Sequence, residues 1–180
     1  PVMKDVVTMP QLFMKHGYRV VGGGKIFHNS FNDKPSWQEW KPAGNFPHPE
    51  KVPHNGIPNM AHFDWGPVNV DDSAMGDHET VDWAIGELNK AGTQPLFLAC
   101  GFIRPHLPFY APAKYFEQYP LDKIAMPEIP ADDLADVPAA GVRIAKPTGD
   151  HAKVIAANQH RQAVQAYLAS IAYVDYEVGR

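Results

Sequence analysis

Residues 96–109, with the sequence LFLACGFIRPHLPF, constrain the fold of this chain more than any other segment. The first seven are almost all apolar and lie between Pro95 and Pro105, which predicts a strand buried on both faces, although a short buried helix has the same pattern. Ligands of open parallel sheets bind outside the carboxyl ends of the strands, and Arg104 and His106 follow this strand. Pro105 restricts the backbone on both of its sides, which gives these two side chains reproducible directions. On these residues alone, a catalytic His106 and a structural His106 stay equally open.

The composition is that of a globular protein without an unusual partner. The chain has 180 residues, of which 44% are hydrophobic and 20% charged, enough for one domain with a real core. The net charge is −4 and no basic block occurs, which argues against nucleic acid or an anionic membrane surface as the main partner. No apolar run approaches the roughly 18–20 residues that a membrane span needs. The single cysteine, Cys100, excludes an internal disulfide, and its apolar surroundings predict a buried, inert thiol.

Signals for helices and strands before this segment predict an α/β fold. A capping box opens a helix at Thr8, and Gly17 ends it. Residues 18–21 are β-branched and aromatic, which indicates a strand. A helix capped by Asp77 and stopped by Gly92 then precedes the apolar strand. This order of strand, long excursion, helix and strand is typical of a right-handed βαβ crossover, in which the two strands are parallel.

Two segments have little regular periodicity, and one long helix closes the chain. Residues 29–70 contain recurring prolines and predict extended surface loops rather than a second core, and their histidines are spaced too irregularly for a zinc site (His48, His54 and His62). Residues 124–148 are also proline-rich, and their aspartates predict a solvated bend rather than a cation site (Asp132, Asp133 and Asp136). An amphipathic helix is predicted from about residue 158 to the end.

A glycine-rich segment from Gly22 to His28 follows the first predicted strand. It is not a phosphate-binding P-loop, because Ile26 stands after Lys25 where that motif needs Ser or Thr. The glycines allow close backbone approach, and a loop after them can aim Lys25 and His28 into one cleft. Such a pair suits an anionic substrate or a developing oxyanion. The alternative is a solvated lysine beside a surface histidine, which a K-x-x-H pattern by itself favours.

Taken together, these segments resemble the middle part of a type I sulfatase, most closely the iduronate-2-sulfatase-like branch. The resemblance depends on LF, HGY and GKIFH between residues 12 and 28, and on FIRPHLPF at residues 102–109. It is supported by FDWGP at residues 63–67 and by YLASIAYVDYEVG at residues 167–179. These motifs occur in the family's order and span nearly the whole chain.

The resemblance implies that residues 1–180 are an internal portion of a single sulfatase catalytic domain, truncated at both ends. The fold would be part of an alkaline-phosphatase-like α/β sandwich, with a largely parallel mixed sheet flanked by helices. In this family, a formylglycine made from Cys or Ser in a C-x-[PA]-x-R motif attacks the sulfur of a sulfate ester, and a calcium ion assists. The parent would act on a sulfated carbohydrate. Export to a periplasm, a lysosome or the cell exterior follows from the resemblance alone.

The resemblance also assigns roles to four residues. Lys25 would contact the sulfate and the nucleophile, and His28 would orient the formylglycine hydroxyl and help the sulfated intermediate collapse. His106 would contact a sulfate oxygen and assist departure of the sugar hydroxyl. Arg104 would bind a sulfate or carboxylate of the substrate, which its planar guanidinium suits.

The chain departs from the family pattern at the nucleophile and the metal. Cys100 is followed by Gly-Phe-Ile-Arg and is therefore not the formylglycine precursor, and the family's acidic pair and later Asp-His/Asn pair are absent. Calcium and formylglycine would come from other parts of the parent, so no metal ligand is assigned here. We expect the isolated chain to be inactive and the parent to be active. A phosphodiesterase or phosphonate hydrolase of the same superfamily and a non-catalytic binder of sulfated glycans stay open as alternatives, and the oligomeric state is open too.

Overall fold

A computed structural model of the protein describes residues 5–28, 32–90 and 92–180, which form two compact units. The first unit comprises residues 1–46, 71–103 and 174–180, and the second comprises residues 47–70 and 104–173. Residues 1–4, to which the expectation of a truncated start refers, lie outside the described residues. So do residues 29–31, where the predicted loop segment begins.

The elements have the following bounds in chain order. The helices are α1 (Met9–Lys15), α2 (Gly76–Asn89), α3 (Ala113–Phe116), α4 (Ala139–Ala145), α5 (Asp150–Ala156) and α6 (His160–Gly179). The strands are β1 (Arg19–Gly24), β2 (Glu39–Lys41), β3 (Trp65–Val68), β4 (Leu96–Gly101) and β5 (Phe109–Pro112). Short 3₁₀ turns occur at Lys34–Ser36, Asp72–Ala74 and Leu121–Lys123. No helix of the described ranges is long and apolar enough to cross a membrane.

The first unit contains a three-stranded parallel sheet with the strand order β2-β1-β4. Helix α1 packs on β1, and α2 packs on both β1 and β4. The second unit contains a two-stranded parallel sheet of β3 and β5, on which α3 packs. The predicted α/β fold with parallel strands flanked by helices is confirmed.

The ends of α1 and α2 follow from local sequence. The predicted capping box of α1 is present, since the Thr8 hydroxyl accepts from the Gln11 amide at 3.4 Å and the Gln11 side chain accepts from the Thr8 amide at 3.0 Å. Gly17, with a φ of +84°, ends α1 as predicted. Asp77 does not cap α2, which begins at Gly76. Its carboxylate instead accepts a 2.8 Å hydrogen bond from the amide of Ile103.

The prediction that residues 29–70 form only surface loops is wrong. They contain β2 and β3, and part of the segment contributes to a hydrophobic core in the second unit. That core joins three residues of the segment to three residues of the C-terminal helices, namely Ile57, Met60, Trp65, Val154, Ala163 and Ala166. The apolar residues of the segment stand singly between prolines, so they have no periodicity to reveal their burial. Helix α4 likewise lies unpredicted within the proline-rich segment 124–148.

Strand β4 is half-buried along its whole length, whereas burial on both faces was predicted. It pairs with β1 at one edge, and no strand of the described ranges pairs with its other edge. Strand β1 is the buried one, from Val20 through Gly24. An apolar strand with an unpaired edge is unusual, because such edges pair readily with other chains.

Candidate active site

The carboxyl ends of β1 and β4 meet closely at Gly24 and Gly101. The Lys25 amide donates a 2.8 Å hydrogen bond to the Gly101 carbonyl oxygen. Gly24 has a φ of +75°, and a Cβ atom placed on it would lie 1.9 Å from that oxygen. Only glycine fits this position. The glycines at residues 22–24 therefore belong to the strand rather than to a loop, and Lys25 is the first residue beyond it.

A cavity of about 210 Å³ lies at this end of the sheet. Its walls include Phe27, Trp40 and Ile103, and Lys25 is the one charged residue among the described residues that line it. Lys25 is itself half-buried. An ammonium group beside apolar walls interacts with an anion more strongly than it does in bulk water. The cavity is therefore suited to a negatively charged group.

Aromatic packing and one amide complete this cavity. The rings of Phe27, Trp37 and Trp40 pack together, with the Trp37 and Trp40 centroids 5.5 Å apart and the Phe27 and Trp40 centroids 5.6 Å apart. These contacts fix the loop that leaves Lys25. The side-chain oxygen of Asn32 is buried and accepts no hydrogen bond from the part of the chain that the structure describes.

His28 does not line this cavity. It lies three residues beyond Lys25, and its side chain is exposed. The structure therefore brings Lys25, but not His28, to the cavity of the first unit. The role expected of His28 stays a prediction.

His106 and Arg104 have opposite environments in the second unit. His106 is exposed, and its Nδ1 lies 2.6 Å from the carbonyl oxygen of Leu107. Because a carbonyl can only accept, Nδ1 carries the proton, which leaves Nε2 to face a ligand. Arg104 is only 3% exposed. Its Nε donates to the Tyr110 carbonyl at 2.7 Å and its Nη1 donates to the His106 carbonyl at 3.1 Å.

These contacts of Arg104 differ from its expected role as a substrate ligand. The guanidinium lies inside the turn from Arg104 to Tyr110 and fixes the backbone on which the His106 ring is mounted. Two of its donor groups are occupied by this turn. The geometry therefore favours a positioning role for Arg104.

Tyr110 and Asp64 support the same turn from its other side. Asp64 is fully buried and accepts hydrogen bonds from the Tyr110 hydroxyl and from the backbone amides of His54, at 2.6 Å, and Asn55, at 2.9 Å. Burial, together with this bond to Asp64, raises the pKa of Tyr110 above its usual range. The hydroxyl therefore stays protonated and remains a donor to the carboxylate.

Sequence patterns did not predict the structural roles of Asp64, Asp77 and Tyr110. All three are buried polar residues whose partners lie far away in the sequence, so no periodicity marks them. The one available signal was FDWGP at residues 63–67, which contains Asp64 and belongs to the motifs that support the resemblance. A buried carboxylate inside such a motif points to a hydrogen-bonding role.

The described residues do not supply a metal site or the expected nucleophile. Residues 5–28, 32–90 and 92–180 contain no group of three or more His, Cys, Asp or Glu side chains that could hold a metal ion. Burial raises the pKa of Cys100, and the nearby Asp77 raises it further. The thiol is therefore protonated and a poor nucleophile. As predicted, the three aspartates of 132–136 lie exposed in turns, and His48, His54 and His62 lie in loops.

Comparisons with known proteins agree over nearly the whole chain. A family model described as Sulfatase matches residues 1–180. A sulfatase of Formosa agariphila is 38% identical over 192 residues, which cover 98% of this chain and 38% of that protein. Iduronate 2-sulfatase of Homo sapiens is 32% identical over 203 residues, covering 96% of the chain and 36% of that protein, and the enzyme of Mus musculus is 30% identical over 201 residues, covering 96% and 35%. The chain thus spans little more than a third of the length of these curated relatives.

Proposed function

Because the chain belongs to the sulfatase family, we propose that it supplies part of the active site of a sulfuric ester hydrolase. The substrate class is a sulfated carbohydrate, and the relatives that are iduronate 2-sulfatases support this choice. One observation carries the proposal. Lys25 is the single charged residue, among those described, that lines the cavity where β1 and β4 end.

Lys25 binds the sulfuryl group in this proposal. Negative charge develops on the sulfuryl and leaving oxygens when a sulfate ester is cleaved. An ammonium group held at the end of a buried strand stabilises this charge without reorganising at the moment of reaction. The close approach of Gly24 and Gly101 fixes the position of the Lys25 backbone, so the side chain needs little further ordering.

His106 is the proposed general acid for the leaving sugar oxygen. Its Nδ1–H is held by the Leu107 carbonyl, so Nε2 is the atom that donates a proton when the ring is protonated. We propose that Arg104 acts through His106, as its bonds to the turn suggest, rather than on the substrate. His28 is proposed to hold the nucleophile's hydroxyl, a role that rests on the resemblance alone.

We do not assign calcium or formylglycine to this chain. The described residues contain no suitable cluster of ligands, and Cys100 lacks the C-x-[PA]-x-R motif of a formylglycine precursor. If the parent uses these groups, other parts of it supply them. We accordingly propose that the chain is one portion of a larger catalytic domain, and that the isolated chain does not turn over sulfate esters. Export from the cytoplasm is a further expectation from the resemblance.

The test is an assay of the full-length protein on a sulfate ester and on phosphorus esters of similar size. We expect release of sulfate from a sulfated disaccharide, and little release of phosphate from a phosphodiester or a phosphonate ester of similar size. His28→Ala and His106→Ala should each lower sulfate release by roughly 10²–10⁴-fold while the protein stays folded. A full-length protein that preferred the phosphorus esters would be a phosphodiesterase or phosphonate hydrolase. One that bound the sulfated disaccharide without turnover would be a glycan-binding relative.

A further inference from the structure

A pair of histidines lies where α5 and α6 meet in the second unit. The rings of His151, in α5, and His160, the first residue of α6, lie edge to face with their centroids 5.3 Å apart. Both line an apolar cavity of about 210 Å³, together with the rings of Phe63 and Phe109. His151 is exposed, whereas His160 is half-buried. The proposed reaction uses neither of them.

Helix α5 is held on this cavity by little buried surface. It has seven residues, and Val154, which also lines the cavity, is its only buried residue. Gly149 stands at its N-cap position and has no side chain to cap it. The turn to α6 passes through Asn158, whose φ of +54° is a left-handed conformation that asparagine tolerates. A short helix with so little apolar burial is expected to open locally at a modest cost in free energy.

The closed position of α5 favours the neutral form of His160. Burial lowers the pKa of His160 from 6.5, and the neighbouring His151 lowers it further. Because the folded pKa is the lower one, this stabilisation is complete above pH 6.5 and declines as the pH falls from there toward the folded value. No carboxylate is among the described residues that line the cavity, and the one further titratable residue there, Tyr167, carries no charge in acid.

One charged contact of α5 has the opposite dependence on pH. The Asp150 carboxylate lies 2.7 Å from Nε2 of His62 and 3.3 Å from the ammonium of Lys153. His62 and Asp150 form a full ion pair only when His62 is protonated, so acid strengthens this contact. The two side chains are 61% and 37% exposed, and surface pairs of this kind contribute little to stability. The repulsion at the half-buried His160 is therefore expected to outweigh it.

We propose that α5 is a cover of this cavity that opens in acid. When His160 takes up a proton, repulsion from the protonated His151 and the cost of a charge in an apolar wall release the helix. The backbone at Gly149 and Asn158 then acts as a pair of hinges, and the walls of the cavity become open to solvent. This device does not depend on the proposed function, since no substrate or catalytic residue takes part in it.

The test is hydrogen exchange of the full-length protein, followed by mass spectrometry at about pH 7.5 and about pH 5. Protection factors, which correct for the intrinsic effect of pH on exchange, report the opening of each segment. We expect the protection of residues 150–156 to fall roughly tenfold in acid, the scale expected for two like charges at this separation near a protein surface. Residues 163–173 of α6 should keep their protection and serve as the internal reference.

Three variants assign the effect to the histidine pair. His160→Gln removes the titrating ring and should abolish the loss of protection in acid. His62→Gln removes another histidine that contacts α5, so it is the matched control and should retain the loss. His151→Glu should reverse the sign, because a carboxylate beside a protonated His160 would hold α5 closed in acid. A merely structural role of His151 would not produce such a reversal.

The melting temperature at about pH 7.5 shows whether each variant is folded. His151 is exposed, so His151→Glu keeps the test available if His160→Gln does not fold. Equal protection of α5 at both pH values in the wild-type protein would overturn the proposal. So would an undiminished loss of protection in a folded His160→Gln protein, or an unchanged sign in His151→Glu.

Discussion

The buried guanidinium of Arg104 donates a 3.1 Å hydrogen bond to the carbonyl oxygen of His106, two residues further along the chain. A second bond, of 2.7 Å, joins its Nε to the Tyr110 carbonyl and closes the turn that carries the exposed His106 ring. Tyr110 anchors this turn, because its hydroxyl donates a hydrogen bond to the buried carboxylate of Asp64. A residue whose side-chain type suggests an anion ligand thus has a buried guanidinium that bonds to the backbone of this turn, and this relationship yields the first prediction.

Arg104→Lys should lower kcat of the full-length protein roughly 10–100-fold with little change in KM, because a single ammonium cannot make both bonds and the His106 ring is misplaced. Arg143→Lys, at an exposed arginine of α4, is the matched control and should have no effect. Steady-state kinetics on a sulfated disaccharide give both parameters. A rise in KM with kcat preserved would mean that Arg104 binds the substrate itself.

Gly24→Ala should destabilise the protein by about 3–5 kcal/mol. The new methyl group would clash with the Gly101 carbonyl at a position whose φ of +75° already disfavours any side chain. Gly86→Ala in α2 is the control, since a Cβ there meets nothing within 4 Å. It should stabilise the helix by about 0.5–1 kcal/mol. Urea denaturation of both variants measures the two effects, and equal free energies of unfolding would refute the account of the strand end.

Glu87 should make stability depend on pH in the acid range. It is 1% exposed, and hydrogen bonds from Lys90 and Arg19 lower the pKa of its carboxyl from 4.5. Because the folded pKa is the lower one, this stabilisation is present above pH 4.5 and is lost as the pH falls through the folded value.

Glu87→Gln should accordingly lower the free energy of unfolding by about 1.5–3 kcal/mol at pH 7, and the difference from wild type should shrink on acidification. Glu39 also pairs with Arg19 but is exposed, so Glu39→Gln should change stability by less than about 1 kcal/mol. Denaturation curves at several pH values test this. A difference between wild type and Glu87→Gln that stayed constant down to pH 3 would exclude Glu87 as the titrating group.

Strand β4 should be covered by further structure in the full-length protein. Its sequence is apolar, yet it is half-exposed and has an unpaired edge within the described ranges. We expect Leu98→Asp to abolish soluble expression of the full-length protein, because it places an unpaired charge in a strand that becomes buried. Leu88→Asp, at an exposed leucine of α2, should express normally. Normal soluble yield of both variants would argue against any covering of β4.

The sequence predicts those elements of the fold that a hydrophobic pattern or a helix-capping residue marks. The capping box at Thr8, the apolar stretch of β4 and the long amphipathic α6 each have a local signal, and each element is present. Strands β2 and β3 have three and four residues, too few for an alternating pattern. The burial of Met60 and Trp65 depends on α5 and α6, about a hundred residues later, which no local pattern reveals.

The candidate site likewise contains residues that the local sequence marks and residues whose environment depends on distant parts of the chain. The glycines before Lys25 predicted a close backbone approach, which is present at Gly24, but they were expected to follow the first strand and instead belong to it. The environment of Arg104 is not predictable, because it depends on Tyr110 and on a carboxylate forty residues earlier. The residue type suggests an anion ligand at Arg104, a role that stays a prediction, and the tertiary contacts bury its guanidinium.

The most direct test of the account is the rate of sulfate release by Lys25→Met in the full-length protein. Lys34→Met, at an exposed lysine of the same unit, serves as the control and should keep the wild-type rate. We predict a fall of roughly 10²–10⁴-fold for Lys25→Met with an unchanged melting temperature, because the cavity loses its one described charge. A Lys25→Met protein that releases sulfate at the wild-type rate would contradict the assignment of this cavity to the reaction.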